Sequence, residues 1–157
     1  MSAGDAALRR RAMDEAVSVT FADMAFIDVN PVSAAGGEPV EYSHVISISL
    51  LSPAAGELSL FFPLECKRKI AENIYAKAWE DLDVQEIDDC LLELLNILAG
   101  NFLLRLYGAG TKYNISFPEI LFDDSRMERF PDAEEFLYDA EGTRIRILLA
   151  AAGPEGE

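Results

Sequence analysis

The segment between Asp83 and Gly108 constrains the fold most. Apolar residues recur through it at helical spacing, Asp81 or Asp83 can cap its start, and Gly108 stops it. At about 100° per residue, Ile87, Leu91, Leu94, Leu95, Leu98 and Phe102 fall on one side. Asp89, Glu93, Asn96 and Gly100 fall on the opposite side, at spacings of four, three and four, so they stack along one narrow stripe. Leu92, Ile97, Leu103 and Leu104 flank that stripe. A helix with so broad an apolar face must be covered by other parts of the chain.

The flanking sequence supplies the cover. Residues 6–29 read as a first long helix, with Leu8, Met13, Ala16, Val17, Thr20, Phe21, Met24 and Phe26 at helical spacing and Asn30-Pro31 as its end. A loop at 33–41 leads to a strand at 45–51, a turn, and a strand at 57–62. Pro63 opens a helix over 64–78, a position where its missing N–H costs nothing. Residues 112–117 read as a third strand and 118–132 as a long connection, whose charged part, 121–132, is either a short helix near the site or, as preferred, a surface loop. Strands at 134–139 and 143–150 close around Ala140-Glu141-Gly142. Hairpins mean antiparallel pairing, so the expected class is α+β, an antiparallel sheet packed against two long helices. Each long helix is followed, after a loop, by strands, which hints at a helix–strand pseudo-repeat. The 157 residues suit one domain, 1–157, with 1–6 and 152–157 as flexible tails.

Composition removes several functions. Twenty-eight acidic against 13 basic residues give a net charge of −15, which repels phosphate backbones. Arg9-Arg10-Arg11 is a weak patch, so no nucleic acid is expected. A lone histidine, His44, and two cysteines, Cys66 and Cys90, cannot build a histidine-rich or four-cysteine metal site. The cysteines read as reduced, buried thiols. A Ser-His-Asp triad on His44 has no supporting motif. Gly108-Ala109-Gly110 follows a helix rather than opening one, so it is no phosphate cradle. No uninterrupted apolar run approaches the ~20 residues of a membrane span, and the N-terminus lacks the apolar centre of a signal peptide. A cytoplasmic protein with no membrane association is the default.

Any chemistry must therefore use carboxylates, amides or hydroxyls, or borrow groups from a partner. The polar stripe is the place to look. Gly100 costs roughly 1 kcal/mol of helix stability relative to alanine, so a close approach to the helix surface there would explain it. The plainer alternative is a solvated helix face, with Gly100 admitting a neighbouring helix.

The pattern Asp89-x-x-x-Glu93-x-x-Asn96-x-x-x-Gly100-Asn101 resembles the signature helix of the CheC/CheX/FliY phosphatases of bacterial chemotaxis, and of its CheX-like branch above all. Phe21-Ala22-Asp23-Met24-Ala25-Phe26 is similar to the first helix of that branch, and Ser116-Phe117-Pro118-Glu119-Ile120 to the serine–apolar–proline stretch after the signature helix. The likeness covers most of residues 8–150. It implies hydrolysis of the aspartyl phosphate of a CheY-like response-regulator receiver. The receiver would supply the phospho-aspartate, Mg²⁺ and a lysine, leaving this chain with no cofactor of its own. Asn96 would orient the attacking water, Glu93 would pair with the receiver lysine, and Asp89, Leu92 and Gly100 would serve docking. In the first helix, Glu15, Ser18 and Ala22 stand at the offsets of Glu93, Asn96 and Gly100. Serine in place of asparagine implies a single site per chain. The resemblance also implies a homodimer joined through sheet edges.

Two other classes stay open beside the enzyme. A binding module could hold a receiver without hydrolysing it. A metal-dependent hydrolase could use Asp83, Glu86, Asp88, Asp89 and Glu93, although only Asp89 and Glu93 share a face.

Overall fold

The computed structural model describes residues 6–33, 42–121 and 132–151. Most of the expected loop at 33–41, most of the connection after 121, and the tails at 1–5 and 152–157 lie outside these residues.

Two long helices, α1 (Ala6–Ala25) and α3 (Val84–Tyr107), pack along each other, with α2 (Leu64–Tyr75) against both. They cover one face of a seven-stranded antiparallel sheet: β1 (Val29–Pro31), β2 (His44–Ser52), β3 (Gly56–Phe62), β4 (Asn114–Ile115), β5 (Glu119–Leu121), β6 (Glu134–Ala140) and β7 (Thr143–Ala151). The spatial order is β1-β6-β7-β3-β2-β4, with β5 also paired to β2. Exchanging β1, β2 and β3 with β4, β6 and β7 reverses this order onto itself. The expected pseudo-repeat is therefore a pseudo-two-fold of the sheet, with α1 and α3 as equivalent elements and α2 extra.

Alternation decides the faces. Ile46, Ile48 and Leu50 of β2, Leu58, Leu60 and Phe62 of β3, Phe136 and Tyr138 of β6, and Ile145 and Ile147 of β7 point to the helices and are buried. They meet Met13, Val17 and Phe21 of α1 and Leu91, Leu94, Leu98 and Phe102 of α3. On the opposite face Ser47 pairs with Ser59, and Ser49 with Glu57. The Ser47 hydroxyl donates to the Glu57 carboxylate and lies 3.0 Å from the Ser59 hydroxyl, so these buried polar groups satisfy one another.

Four boundaries differ from the sequence reading. The first helix ends at Ala25, not 29, because Phe26 turns left-handed (φ 56°) and points outward, while Ile27 enters the core. Residues 29–31 then pair with β6 as an edge strand, where Pro31 is tolerated. The second helix stops at Tyr75, with Ala76 left-handed (φ 54°), and Trp79–Asp81 form a 3₁₀ turn. The third strand is reduced to Asn114–Ile115, and the connection after it begins with β5, paired to Val45–Ser47. Pro118 has no N–H to donate, so the ladder breaks there and resumes at Glu119.

By length and mean hydropathy α3 could cross a membrane. In this fold it is a core helix, with its apolar side against α1, α2 and β2.

Candidate functional site

The sequence determines α3 locally at both ends. Asp83 forms a capping box: its carboxylate accepts from the Glu86 N–H (2.7 Å), and the Glu86 carboxylate accepts from the Asp83 N–H (3.1 Å). Asp81, the alternative cap, belongs instead to the 3₁₀ turn. At the far end Gly108 (φ 97°) donates back to the Leu104 carbonyl at 2.8 Å. These ends fix where the helix starts and stops, and burial of its apolar side fixes what it shows to solvent.

Ile87, Leu91, Leu94, Leu95, Leu98 and Phe102 are buried, as the apolar face requires. Leu103, expected beside the stripe, is core as well. Asp89 and Glu93 are exposed and Asn96 is half-buried, with Leu92 and Ile97 half-buried at its sides. Gln85 donates to Asp89 at 2.7 Å along the helix. Among the described residues, neither the Glu93 carboxylate nor the Asn96 amide has a hydrogen-bond or ion-pair partner. A carboxylate and an amide thus stand one turn apart on a rigid, accessible helix, bordered by leucine and isoleucine.

Gly100 corrects the sequence reading. It is buried, not open to a docking partner. The Tyr113 hydroxyl lies 2.7 Å from where a Cβ would stand, so the glycine admits a side chain of its own protein. Tyr113 escaped the sequence reading because the loop that returns it over the helix is tertiary structure. The one available signal was an aromatic residue shortly after the glycine stop.

The acidic cluster disperses. Asp83 and Glu86 are spent on the cap, Asp88 faces His44, and Asp89 takes the Gln85 amide. Among the described residues no group of three His, Cys, Asp or Glu side chains is placed to hold a metal ion. The basic patch is also structural: Arg9 pairs with Glu134 at 2.8 Å, and Arg10 lies over the Phe136 ring.

A second polar cluster joins β2, α2 and α3. Lys67 Nζ lies 2.9 Å from His44 Nδ1, and Asp88 Oδ1 lies 3.7 Å from His44 Nε2. An ammonium can only donate, so Nδ1 is the acceptor and Nε2 carries the proton. Burial, then the Lys67 charge, lowers the His44 pKa, opposed by Asp88.

A model of the family "Chemotaxis phosphatase CheX" matches residues 45–138. No curated protein matches the chain. Among solved structures, the chain is similar to a chemotaxis protein CheX from Desulfovibrio desulfuricans, with a TM-score of 0.72 at 13% identity over 92% of this chain and 99% of that one. A CheX from Vibrio vulnificus gives 0.70 at 15% identity, over 90% and 95%. The CheX of a CheX–CheY–BeF3–Mg²⁺ complex from Borrelia burgdorferi gives 0.66 at 19% identity, over 91% and 97%. At these identities the structural likeness establishes the fold.

Proposed function

Because the chain belongs to the CheX family of chemotaxis phosphatases, we propose that it hydrolyses the aspartyl phosphate of a CheY-like receiver domain with Glu93 and Asn96 of α3. The observation that carries this reading is the pair itself: two polar side chains one turn apart, presented outward, without partners among the described residues. The Borrelia CheX in complex with CheY is a relative of the same fold.

The chemistry suits the residues. In phosphoryl transfer the protein contributes mainly position and charge. Water attacks phosphorus, the bond from phosphorus to the aspartyl oxygen breaks, and the products are inorganic phosphate and a free aspartate. The receiver brings the phospho-aspartate, its Mg²⁺ and its lysine. The Asn96 amide accepts from the water and donates toward a phosphoryl oxygen, aligning the water with the breaking bond. A neutral amide does this beside a dianion, where a carboxylate would be repelled. Glu93 pairs with the receiver lysine and sets the docking register. Leu92 and Ile97 give the contact an apolar border, with Asp89 at its edge. A cytoplasmic location and a homodimer joined through sheet edges are part of the same proposal.

The test is loss of phosphate from acetyl-phosphate-charged receivers of the same genome, with wild type, Asn96→Ala and Glu93→Ala. One receiver is expected to lose phosphate faster with wild type. Asn96→Ala should lower that acceleration about 100-fold while binding persists, and Glu93→Ala should weaken binding. A receiver that binds but keeps its phosphate lifetime overturns the enzyme reading and leaves a docking module.

A further inference from the structure

Gly100 is the one glycine inside α3. Glycine there costs about 1 kcal/mol relative to alanine, and something must offset it. The space a methyl group would fill is held by Tyr113, with the hydroxyl oxygen 2.7 Å from the Cβ position and Cζ at 3.5 Å. The phenolic oxygen, not the ring, is thus what the glycine makes room for. Tyr113 remains 38% exposed. Among the described residues its hydroxyl has no hydrogen-bond partner. A side chain needed only for packing would not require that oxygen.

Its place is informative. Gly100 follows Asn96 by four residues, about 6 Å along the helix axis, on the same stripe. The stripe therefore does not stop at Asn96. It continues onto a hydroxyl supplied by the returning loop. Asn96 stands between the Glu93 carboxylate toward the start of the helix and the Tyr113 hydroxyl toward its end.

We propose that Tyr113 is a docking residue of this site: its hydroxyl hydrogen-bonds to a polar group of the phosphorylated receiver, on the side of the phosphoryl group away from the Glu93 contact. Gly100 is the glycine that gives the hydroxyl this position. The inference rests on the receiver-phosphatase reading above. One carboxylate–lysine contact leaves the helix free to pivot about it. A second contact beyond Asn96 fixes the tilt, which an amide aligning a water needs.

The experiment measures binding of the full chain to receivers of the same genome charged with beryllofluoride and Mg²⁺, then turnover on the phosphorylated receiver. Tyr113→Phe removes only the oxygen, and loss of one neutral hydrogen bond should weaken binding about 3–10-fold. It should raise KM and lower kcat by no more than the same factor, whereas Asn96→Ala lowers kcat about 100-fold and leaves binding. Gly100→Ala is the second variant. Alanine favours the helix, and the displaced atom is the far end of a half-exposed side chain, so thermal stability should hold or rise. Binding should still weaken to the same degree, a result that a packing role does not give. If wild type binds a receiver and both variants bind equally well, Tyr113 has no docking role and the phosphatase reading stands. If wild type binds no charged receiver, both fall.

Discussion

Arg105 of α3 reaches across to Glu15 of α1, Nε to Oε1 at 3.7 Å. Glu15 is the pseudo-two-fold counterpart of Glu93. On the function proposed above, the carboxylate that would dock a second receiver is paired within the chain, while Glu93 has no partner among the described residues. Ser18, where an asparagine would be needed, is exposed beside it. One site per chain is the expectation. Glu15→Ala should change receiver dephosphorylation less than twofold and stability by under about 0.5 kcal/mol, as for an exposed ion pair. Ser18→Asn placed in the Asn96→Ala chain should restore nothing. Recovered turnover in that double variant would show a second working site.

Asn101 Nδ2 donates to Thr20 Oγ1 at 2.9 Å, joining the two long helices. Thr20 is buried, so removing its partner leaves a hydroxyl without that bond. Asn101→Ala should cost about 1–3 kcal/mol in urea unfolding while receiver affinity is retained. An unchanged unfolding midpoint would show that this bond does not hold the seam.

His44 makes stability depend on pH. Its pKa is lowered from 6.5 in the folded chain by burial and then by Lys67, with Asp88 acting against them. The unfolded chain therefore takes up this proton at higher pH than the folded one. The stability contributed by neutral His44 is complete above pH 6.5 and declines as pH falls toward the lowered folded value. Urea titrations from pH 7.5 to 5.5 should show that decline, and His44→Gln should flatten it. An equal slope in the variant would assign it elsewhere.

Burial pushes the thiols of both Cys66 and Cys90 up to about 11. Almost no thiolate exists at pH 8, and both residues are buried. A thiol-disulfide reagent at that pH should label neither cysteine in the folded chain and both in denaturant. Fast labelling of the folded chain would mean that α2 or α3 opens locally.

What could be read from the sequence was what local chemistry decides. The Asp83 cap, the Gly108 stop and the stripe of Asp89, Glu93 and Asn96 need only neighbours within a turn. The misreadings arose where distant contacts decide. Phe26 continues the helical spacing of α1, yet the chain turns there because Ile27 enters the core and Val29 pairs with β6. Pro118 reads as punctuation, yet the open edge of β2 recruits the residues after it. Gly100 looked like an opening for a partner because nothing near it in sequence announces that Tyr113 covers it.

The central ladder of the sheet joins β3 to β7, Leu60 opposite Ile147 and Phe61 opposite Arg146. Synthesis completes all three helices well before the ribosome has made β7, the strand that pairs with β3 and packs under α2. Until then β3 has an open edge and α2 lacks part of its floor. A chain interrupted before β7 should therefore be prey to chaperones and proteases rather than a smaller working phosphatase. Such long-range closure also slows folding relative to a helical bundle of the same size. The edge of β3 stays open from its emergence until residues 143–151 arrive.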